Sequence, residues 1–352
     1  MPEKRAVMMN TLIYHIRSLL SVRPERLNYC IMKCSERSHR SKAVIFADML
    51  LCYCLYGAGF TDYLLFGFDT LTLRKKRDYL TRTRFRRLTL QVNPPDAREF
   101  VSSKSNFYNC YPEPMRRTIL RTDAPDKVLQ SFLRQNPCFV LKPDVGTGGE
   151  GVCIVSRADY PSEQALINFL RSKKDHLLEE KIQQHSEMAY FNKDSVNTLR
   201  IVYLSDREKP VFLYCSLRVG RKDSSVDNLC SGGMICAVNT NTCRVVSDAF
   251  DNNGNRYHIH PDCSTTVFQG SPVPYVAEAL SLCETLAAQL FKQHGLGLVG
   301  FDVAIAMDGP VLVEANAFPT HYGWQRSGFV DVNTPTGLMP LIREILRIRA
   351  DF

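Results

Sequence analysis

The chain has 352 residues, 45% of them hydrophobic and 10% aromatic, and carries a formal net charge of +8. This composition excludes an intrinsically disordered protein, and the length allows two or three subdomains with a full core. The thirteen cysteines are scattered, mostly within apolar runs, and form no Cys-x-x-Cys pair. We therefore predict reduced core cysteines in a cytoplasmic protein, and neither a zinc site nor a disulfide framework.

Residues 1–95 are predicted to be mainly helical, because apolar residues recur there at spacings of three and four. The stretch 43–60 approaches the length of a membrane span, but Asp48, Gly57 and Gly59 interrupt it. We therefore predict a buried helix that ends at glycine, and no transmembrane segment. The start of the chain lacks the long apolar core and small-residue cleavage site of a secretion signal.

A basic block, RKKRDYLTRTRFRR, occupies residues 74–87 of this helical region. Such a block can bind nucleic acid or an anionic membrane surface, although it more often forms a solvated helix face. Since no aromatic-rich RNA-binding signature accompanies it, we predict no nucleic-acid partner and leave peripheral membrane contact open.

Two prolines after Asn93 end the helical region, because proline cannot continue a helix.

The chain becomes mixed α/β from residue 96, and a glycine-rich hairpin is its most distinctive feature. In FVLKPDVGTGGEGVCIV, residues 139–155, a short apolar strand ends at Lys142 and a second apolar run follows the glycines. Because glycine has no Cβ, such a tip can lay backbone N–H groups against phosphate oxygens. An ordinary hairpin with a glycine-rich turn accounts for the loop equally well. The tip consists of Gly146, Thr147, Gly148, Gly149 and Gly151 with the intervening Glu150.

Several β-rich runs and one long helix follow. The runs at residues 198–204 and 211–219 are separated by a polar turn and predict a hairpin. Residues 274–294 carry the clearest helical pattern, with apolar side chains on one face and Gly295 as the stop. Two final strands are predicted at residues 298–307 and 311–315, joined by a tight turn at residues 308–310.

Those final strands carry three oxygen-bearing side chains. Asp302 lies on the first strand, while Glu314 and Asn316 lie two apart on the second and so share a face. Pairing through the turn brings Asp302 close to both. Two carboxylates and an amide oxygen suit Mg²⁺, which takes its remaining ligands from phosphates and water. Their neighbours are apolar, so an unpaired acid here would be costly.

These motifs together resemble the ATP-grasp superfamily, and within it the sugar-transfer-associated ATP-grasp family. The resemblance runs from about residue 104 to residue 325, through FVLKPDVGTGGEGV, LLEEKIQQH, SVNTLRIVYL, the HPDCS segment, and GFDVAI with VLVEANAFP. It implies an α+β fold in which two α/β subdomains clamp a nucleotide between antiparallel sheets. The predicted regions are then a helical region at residues 1–95, a lid subdomain at 96–182 and a metal-binding subdomain at 183–352.

Position by position, the resemblance implies that Lys142 contacts the α- and β-phosphates of ATP while the glycine loop folds over them. Lys104 resembles an earlier phosphate-contacting lysine, and Glu187 resembles the residue that holds the ribose. The hinge that reads adenine would consist of Glu180, Lys181 and Ile182. The metal ligands, for one or two Mg²⁺ ions that bridge the phosphates, would be Asp302, Glu314 and Asn316.

The sequence departs from the superfamily at Gly300, where many carboxylate ligases have an arginine that stabilises the acyl-phosphate. Arg200 and Arg218, on adjacent predicted strands, are our candidates for that role, because a guanidinium fork can hold phosphate oxygens on two sides. The alternative is that they are arginines of the rim. Candidates for the acceptor pocket, by position alone, are Trp324, Gln325 and Arg326.

Three functions are consistent with these residues. The first is a carbon–nitrogen ligase that uses ATP and Mg²⁺ to activate a small-molecule carboxylate as an acyl-phosphate and passes it to an amine. Its substrates would be derived from sugars or amino acids, or be linked to a glycan, in cell-surface glycan or natural-product biosynthesis. The second is a kinase that transfers phosphate to a hydroxyl, and the third is a non-catalytic nucleotide-binding module. The residues do not indicate an oligomeric state.

Overall fold

The computed structural model describes residues 23–146, 148–206, 209–224, 226–326 and 337–348. The chain divides into two units, Met1–Arg77 with Thr81–Thr83, and Asp78–Leu80 with Arg84–Phe352. The described helices of the first unit are α1 (Pro24–Ser38), α2 (Lys42–Tyr56), α3 (Phe60–Leu65) and α4 (Leu73–Lys76).

Helix α2 shows how the sequence sets these boundaries. The Ser41 side chain accepts a hydrogen bond from the Val44 N–H, which satisfies a free donor at the start of the helix. Gly57 ends the helix with φ 64°, a left-handed conformation that glycine adopts without strain. The predicted stop at glycine is confirmed.

The interior of the first unit combines an apolar core with buried ion pairs. The Lys76 ammonium group lies 2.8 Å from a carboxylate oxygen of Asp48, and the Tyr63 hydroxyl donates to the same carboxylate at 2.7 Å.

The prediction that α2 is buried is right for only one of its faces. Its buried residues are Ile45, Met49 and Cys52, whereas its exposed large apolar residues are Val44, Phe46, Leu50, Leu51 and Leu55.

The basic block is divided between α4 and α5 (Arg82–Val92). Arg74 and Lys75 are exposed, as expected for a solvated face. Lys76 and Arg84 are buried instead, because Lys76 pairs with Asp48 and the Arg84 guanidinium donates to the carbonyl of Tyr79 at 3.0 Å. The block therefore has both structural and solvent-facing members.

The second unit contains a four-stranded antiparallel sheet. Its strands are β1 (Ile119–Arg121), β2 (Cys138–Pro143), β3 (Cys153–Ser156) and β4 (His176–Glu180), in the order β1-β4-β2-β3. The β2–β3 pair confirms the glycine-rich hairpin. Apolar side chains of α8 (Asp126–Gln135) and α9 (Glu163–Ser172) pack on this sheet, among them Phe132 and Leu166. Two further helices, α6 (Pro95–Ser102) and α7 (Lys104–Cys110), precede it.

A larger antiparallel sheet follows. Its strands are β5 (Thr198–Ser205), β6 (Pro210–Val219), β7 (Met234–Asn239), β8 (Arg244–Val245), β9 (Ala249–Phe250), β10 (Arg256–Tyr257), β11 (Leu298–Ala306) and β12 (Gly309–Asn316). Their order is β10-β9-β7-β6-β5-β11-β12, and β8 pairs with β7. Both predicted hairpins, β5–β6 and β11–β12, are confirmed. A short helix, α10 (Ser186–Ala189), precedes β5.

The two faces of the larger sheet have different roles. On one face, Leu199, Ile201 and Phe301 pack against the apolar side of α11 (Val276–His294), the helix predicted at residues 274–294. On the other, Val202 and Leu298 pack against α12 (Met339–Leu346). Side chains alternate along a strand, so this second face also receives the polar residues at positions 200 and 302. The result is an α+β fold, as predicted.

Within the described residues, no helix combines the length and the apolar character needed to cross a bilayer.

Candidate functional site

A cavity of about 720 Å³ is formed by residues of both sheets of the second unit. Its walls include apolar side chains, namely Val140, Val152, Ile154, Ile182 and Val313. Charged side chains of both signs also line it, among them Lys104, Arg117, Lys142, Arg218, Asp302 and Glu314. The lining thus offers both a surface for a planar apolar group and positive charge for an anionic one.

The two carboxylates face each other across a strand pair. Asp302 lies directly opposite Glu314 on β12, and opposite Arg200 on β5. The Asn316 amide donates to a Glu314 carboxylate oxygen at 3.1 Å. A β-bulge between Asp302 and Val303 shifts the register that the turn at Asp308 sets by one residue, and so brings the three predicted metal ligands together.

Asp302 is held by both candidate arginines. Its side chain is buried and accepts hydrogen bonds from Arg200 at 2.8 Å and from Arg218 at 2.7 Å. Burial alone would raise the pKa of Asp302, but the two guanidinium groups hold it well below its ordinary value. Arg218 also lies 3.0 Å from Asp227, so it bridges two carboxylates.

Glu314 has the opposite electrostatic environment. Loss of solvation and the negative charge of Asp302 raise the pKa of the Glu314 carboxyl above its ordinary value. A cation placed between these two carboxylates would relieve their repulsion. Electrostatically, the pair is therefore a site for positive charge.

Lys142 belongs to a buried cluster that the sequence reasoning missed. Its ammonium group lies 2.6 Å from Glu179, and Arg117 lies 2.8 Å from the other oxygen of the same carboxylate. Lys142 also donates to the Tyr108 hydroxyl at 2.8 Å. Burial lowers the pKa of Lys142, and the Glu179 carboxylate opposes that shift. An acid directly after the apolar pair Leu177–Leu178 of a strand was the available signal for Glu179, whereas no local pattern marks Arg117.

The glycine loop lies beside this cluster. The Lys104 ammonium group donates to the carbonyls of Asp144 and Gly146, each at 3.2 Å. At Gly149, φ is +76° and an added Cβ would lie 2.6 Å from the Asn228 amide nitrogen, so this position requires glycine. Lys104, Gly146 and Gly149 line the cavity, whereas Gly148 and Gly151 are not among its lining residues. Thr147 lies outside the described residues.

The residues predicted to form the hinge lie at the end of β4 and directly after it. Glu180, Lys181 and Ile182 all line the cavity. The Gln184 side chain anchors the segment, because its amide donates to the carbonyls of Asn192 at 2.9 Å and Ser195 at 2.8 Å.

Glu187 does not line the cavity, in disagreement with its predicted ribose contact. The chain turns at His185, whose ring nitrogen accepts the Glu187 N–H at 3.2 Å, and α10 begins there. This turn leaves the Glu187 side chain exposed to solvent. Lys193 and Asp194, which were not predicted, do line the cavity.

The candidates for the acceptor pocket have structural contacts. The Gln325 side chain is fully buried and bonds the backbone N–H groups of Leu80 and Leu338 at 2.7 and 2.9 Å. Arg326 is also buried, and its guanidinium donates to the carbonyl of Asp251 at 2.7 Å. Gln325 is therefore a structural clamp, and its prediction as an acceptor residue is not supported by the geometry.

The family model described as sugar-transfer associated ATP-grasp matches residues 83–341. A search of curated protein sequences gives no significant match.

Similar solved structures include the ATP-grasp ligase PsnB complexed with minimal precursor, which is 14% identical over 72% of this chain and 62% of that chain, with a TM-score of 0.42. D-alanyl-alanine synthetase A from Vibrio cholerae O1 biovar eltor is 13% identical over 71% of this chain and 61% of that chain, with a TM-score of 0.38. D-cycloserine synthetase DcsG is 11% identical over 72% of this chain and 73% of that chain, with a TM-score of 0.41. The chain thus spans about three fifths of the length of the first two structures. Because the family model covers well over half of the chain, the protein belongs to the sugar-transfer associated ATP-grasp family and has the ATP-grasp fold.

Proposed function

We propose that the protein is an ATP-dependent ligase that joins a carboxylate to an amine through an acyl-phosphate. The observation that carries this proposal is one cavity lined by the glycine loop, the segment 180–182 and the charged group of Lys142, Arg218, Asp302 and Glu314. Membership of the ATP-grasp family supports ATP as the nucleotide.

In this proposal the adenine packs among the apolar side chains beside Ile182, and the segment 180–182 reads its edge. Lys142 and Lys104 contact the phosphates, and the glycine loop folds over them. A buried lysine is suited to this task, because a phosphate supplies negative charge to an ammonium group that has lost most of its solvation. Gly149 allows the backbone to approach Asn228 closely, which keeps the loop over the cavity.

The carboxylates fit Mg²⁺ by their chemistry. Asp302, Glu314 and Asn316 offer the oxygen donors that this ion prefers, and a cation between the two carboxylates would offset the repulsion by Asp302 that helps to raise the pKa of Glu314. Among the residues that the structure describes, no group of three or more His, Cys, Asp or Glu side chains could hold a metal ion. The ion would therefore take further ligands from the nucleotide phosphates and water. When bound, it would neutralise phosphate charge.

The proposed reaction has two steps. A carboxylate oxygen of the first substrate bonds to the γ-phosphorus of ATP, and ADP leaves. An amine nitrogen then bonds to the acyl carbon and loses a proton, while inorganic phosphate leaves. Arg218 and Arg200, positioned by Asp302, hold the negative charge that develops on the transferred phosphoryl group. No nucleophilic side chain is needed.

The substrates follow from the same reasoning at a coarser level. The family description associates its members with sugar transfer, so we propose a sugar- or amino-acid-derived carboxylate and amine, acted on in the cytoplasm.

In this proposal the lid region at residues 96–182 and the region at residues 183–352 each contribute one sheet to the cavity.

The test is ADP formation with ATP and Mg²⁺ over a panel of carboxylates and amines, with product masses measured. Hydroxylamine in place of the amine should trap the acyl-phosphate as a hydroxamate. Asp302→Asn should abolish ADP formation, whereas Asp308→Asn, at an exposed turn, should retain it. ADP formation with an alcohol alone, giving a phosphate ester, would identify a kinase. ATP binding without turnover across the panel would identify a non-catalytic module.

A further inference from the structure

Tyr108 connects the buried cluster around Lys142 to the strand that carries Glu314. The tyrosine side chain is buried, and its hydroxyl donates its one hydrogen to the carbonyl of Val313 at 2.6 Å. The hydroxyl therefore accepts from Lys142, whose ammonium group lies 2.8 Å away. Burial raises the pKa of Tyr108 well above its ordinary value, so the hydroxyl keeps this hydrogen. The direction of both hydrogen bonds is defined.

The carbonyl that Tyr108 bonds belongs to an unusual position on β12. In the β11–β12 register, Asp302 pairs with Glu314, whereas Val303 pairs with Leu312. Val313 is therefore the extra residue of the β-bulge. A regular ladder continued from the turn would place Val313 opposite Asp302 and direct Glu314 toward α11. The tyrosine hydroxyl thus holds the residue whose insertion brings the two carboxylates together.

A second contact attaches the same cluster to β12. The Arg117 guanidinium donates to the carbonyl of Leu312 at 2.6 Å and lies 2.8 Å from Glu179. Glu179 in turn lies 2.6 Å from the Lys142 ammonium group. Two successive carbonyls at the bulge are therefore bonded from the cluster, one by Arg117 and one by Tyr108. A shift of the bulge would break the bonds that hold the lysine.

Helix α7 carries Tyr108 together with Lys104, which we propose as a phosphate contact. The two residues are four positions apart and so lie on one side of the helix. The Lys104 ammonium group donates to the carbonyl of Gly146 in the glycine loop at 3.2 Å. The Ser105 N–H and hydroxyl each donate to the Asp144 carboxylate at 2.7 Å, which ties the start of the helix to the end of β2. One short helix therefore contacts the loop, the buried lysine and β12.

We propose that Tyr108 is a positioning residue that holds the Lys142 ammonium group and the Glu314 carboxylate in a fixed relation, so that nucleotide phosphate and metal ion bind cooperatively. Lys142, Val313 and Glu314 all line the cavity. An ammonium group has three hydrogens. Tyr108 accepts one and Glu179 lies against another, so a phosphate oxygen takes the third in a defined direction. The inference rests on the proposed function and deepens it, because it names the group that couples phosphate binding to metal binding.

Tyr108→Phe tests these bonds, because it removes the hydroxyl and keeps the ring. The measurement is the affinity of the full chain for ATP by calorimetry, and for adenosine by competition with ATP. In the presence of a chelator, the variant should bind ATP about tenfold more weakly, because a hydrogen bond to a charged group is lost. Its affinity for adenosine, which has no phosphate, should stay within about twofold of the wild-type value.

Magnesium gives a second readout in the same experiment. Addition of Mg²⁺ should raise the ATP affinity of the wild-type chain, because the two carboxylates would hold the ion against the phosphates. In Tyr108→Phe this gain should be about threefold smaller, because the bulge has lost a bond that fixes Glu314 relative to Lys142. A tyrosine that only stabilised the fold would change neither the preference for ATP over adenosine nor the gain from Mg²⁺.

Tyr111→Phe is the matched control. Tyr111 directly follows α7 and is also buried, but its hydroxyl donates to the Gln293 side chain at 2.6 Å and it is not among the lining residues of the cavity. Both affinities and the gain from Mg²⁺ should stay within about twofold of the wild-type values. Circular dichroism of both variants establishes that they are folded under the conditions of the titrations.

Three results would overturn the inference alone. The first is wild-type ATP affinity in Tyr108→Phe, the second is an equal loss of affinity for ATP and adenosine, and the third is an unchanged gain from Mg²⁺. A wild-type chain that binds no ATP would overturn the proposed function as well, so the two failures are distinguishable.

Discussion

Replacing Glu179 by glutamine should destabilise the second unit strongly, although the change removes only one charge. Glu179 lies 2.6 Å from the Lys142 ammonium group and 2.8 Å from the Arg117 guanidinium. The three side chains are only 3–6% exposed. In Glu179→Gln, the two cations face each other in a buried site with no carboxylate between them.

The size of the effect follows from this burial. Breaking a buried ion pair by removing one partner costs about 3–5 kcal/mol, because the other charge stays buried and uncompensated. The glutamine carbonyl keeps one neutral hydrogen bond, which offsets about 1 kcal/mol. We therefore expect the free energy of unfolding to fall by about 3 kcal/mol, which is more than a hundredfold in the folding equilibrium.

Urea denaturation followed by the fluorescence of Trp324 measures this change. Trp324 is the single tryptophan of the chain and lies in the same unit as Glu179. Glu180→Gln is the matched control, because Glu180 is the adjacent residue and is exposed; it should cost less than about 0.5 kcal/mol. If Glu179→Gln unfolds at the same urea concentration as the control, the cluster contributes nothing as an ion pair and the reasoning fails.

Three further predictions concern other positions. The raised pKa of Glu314 means that the folded state holds the Glu314 proton more tightly than the unfolded state does. The resulting stabilisation is present below about pH 4.5 and is lost as the pH rises through the raised pKa. In urea titrations at a series of pH values, Glu314→Gln should flatten this decline in the free energy of unfolding, and an unchanged slope would contradict the assignment. Gly149→Ala should weaken ATP binding, measured by calorimetry, by about tenfold or more. Gly148→Ala is the control and should cause a smaller loss, because Gly148 shares the positive φ but a Cβ added there would meet no atom within 4 Å. Equal losses of affinity would show that the contact with Asn228 is unimportant. Gln325→Ala should lower the free energy of unfolding by about 2–4 kcal/mol, because it leaves the buried backbone groups of Leu80 and Leu338 unpaired, and a loss under about 1 kcal/mol would argue against the clamp.

Local patterns were sufficient for the elements that form the cavity. The tight turn at Asp308 and the alternation of residues on β11 and β12 predict that Asp302 lies close to Glu314 and Asn316, and the structure brings them together. The direct pairing of Asp302 with Glu314 also depends on a β-bulge between Asp302 and Val303, which no local pattern marks. The helix Val276–His294 was predicted because its apolar residues share one face and Gly295 ends it. In each case the determining signal lies within about twenty residues of sequence.

Contacts between distant parts of the chain were not predictable in this way. Arg117 and Glu179 are 62 positions apart, and Gln325 bonds Leu80 across 245 positions. Only the folded chain brings such pairs together, and a single sequence carries no periodic signal for them. Arg200 and Arg218 were identified as phosphate candidates, but their shared contact with Asp302 required the sheet order. Glu187 was assigned to the ribose from the resemblance alone, and no local pattern marks the turn at His185 that leaves its side chain exposed.

Four paired residues on neighbouring strands form a row across the larger sheet: Glu314 on β12, Asp302 on β11, Arg200 on β5 and Ser216 on β6. This row limits where the chain can gain or lose a residue. Inserting or deleting one residue within β11 on the N-terminal side of Asp302 would rotate that carboxylate toward α11 and bring an apolar neighbour into its place. Such single-residue events should abolish function even where the protein still folds. Length variants of this hairpin should be tolerated at the Met307–Asp308 turn, which lies beyond the row.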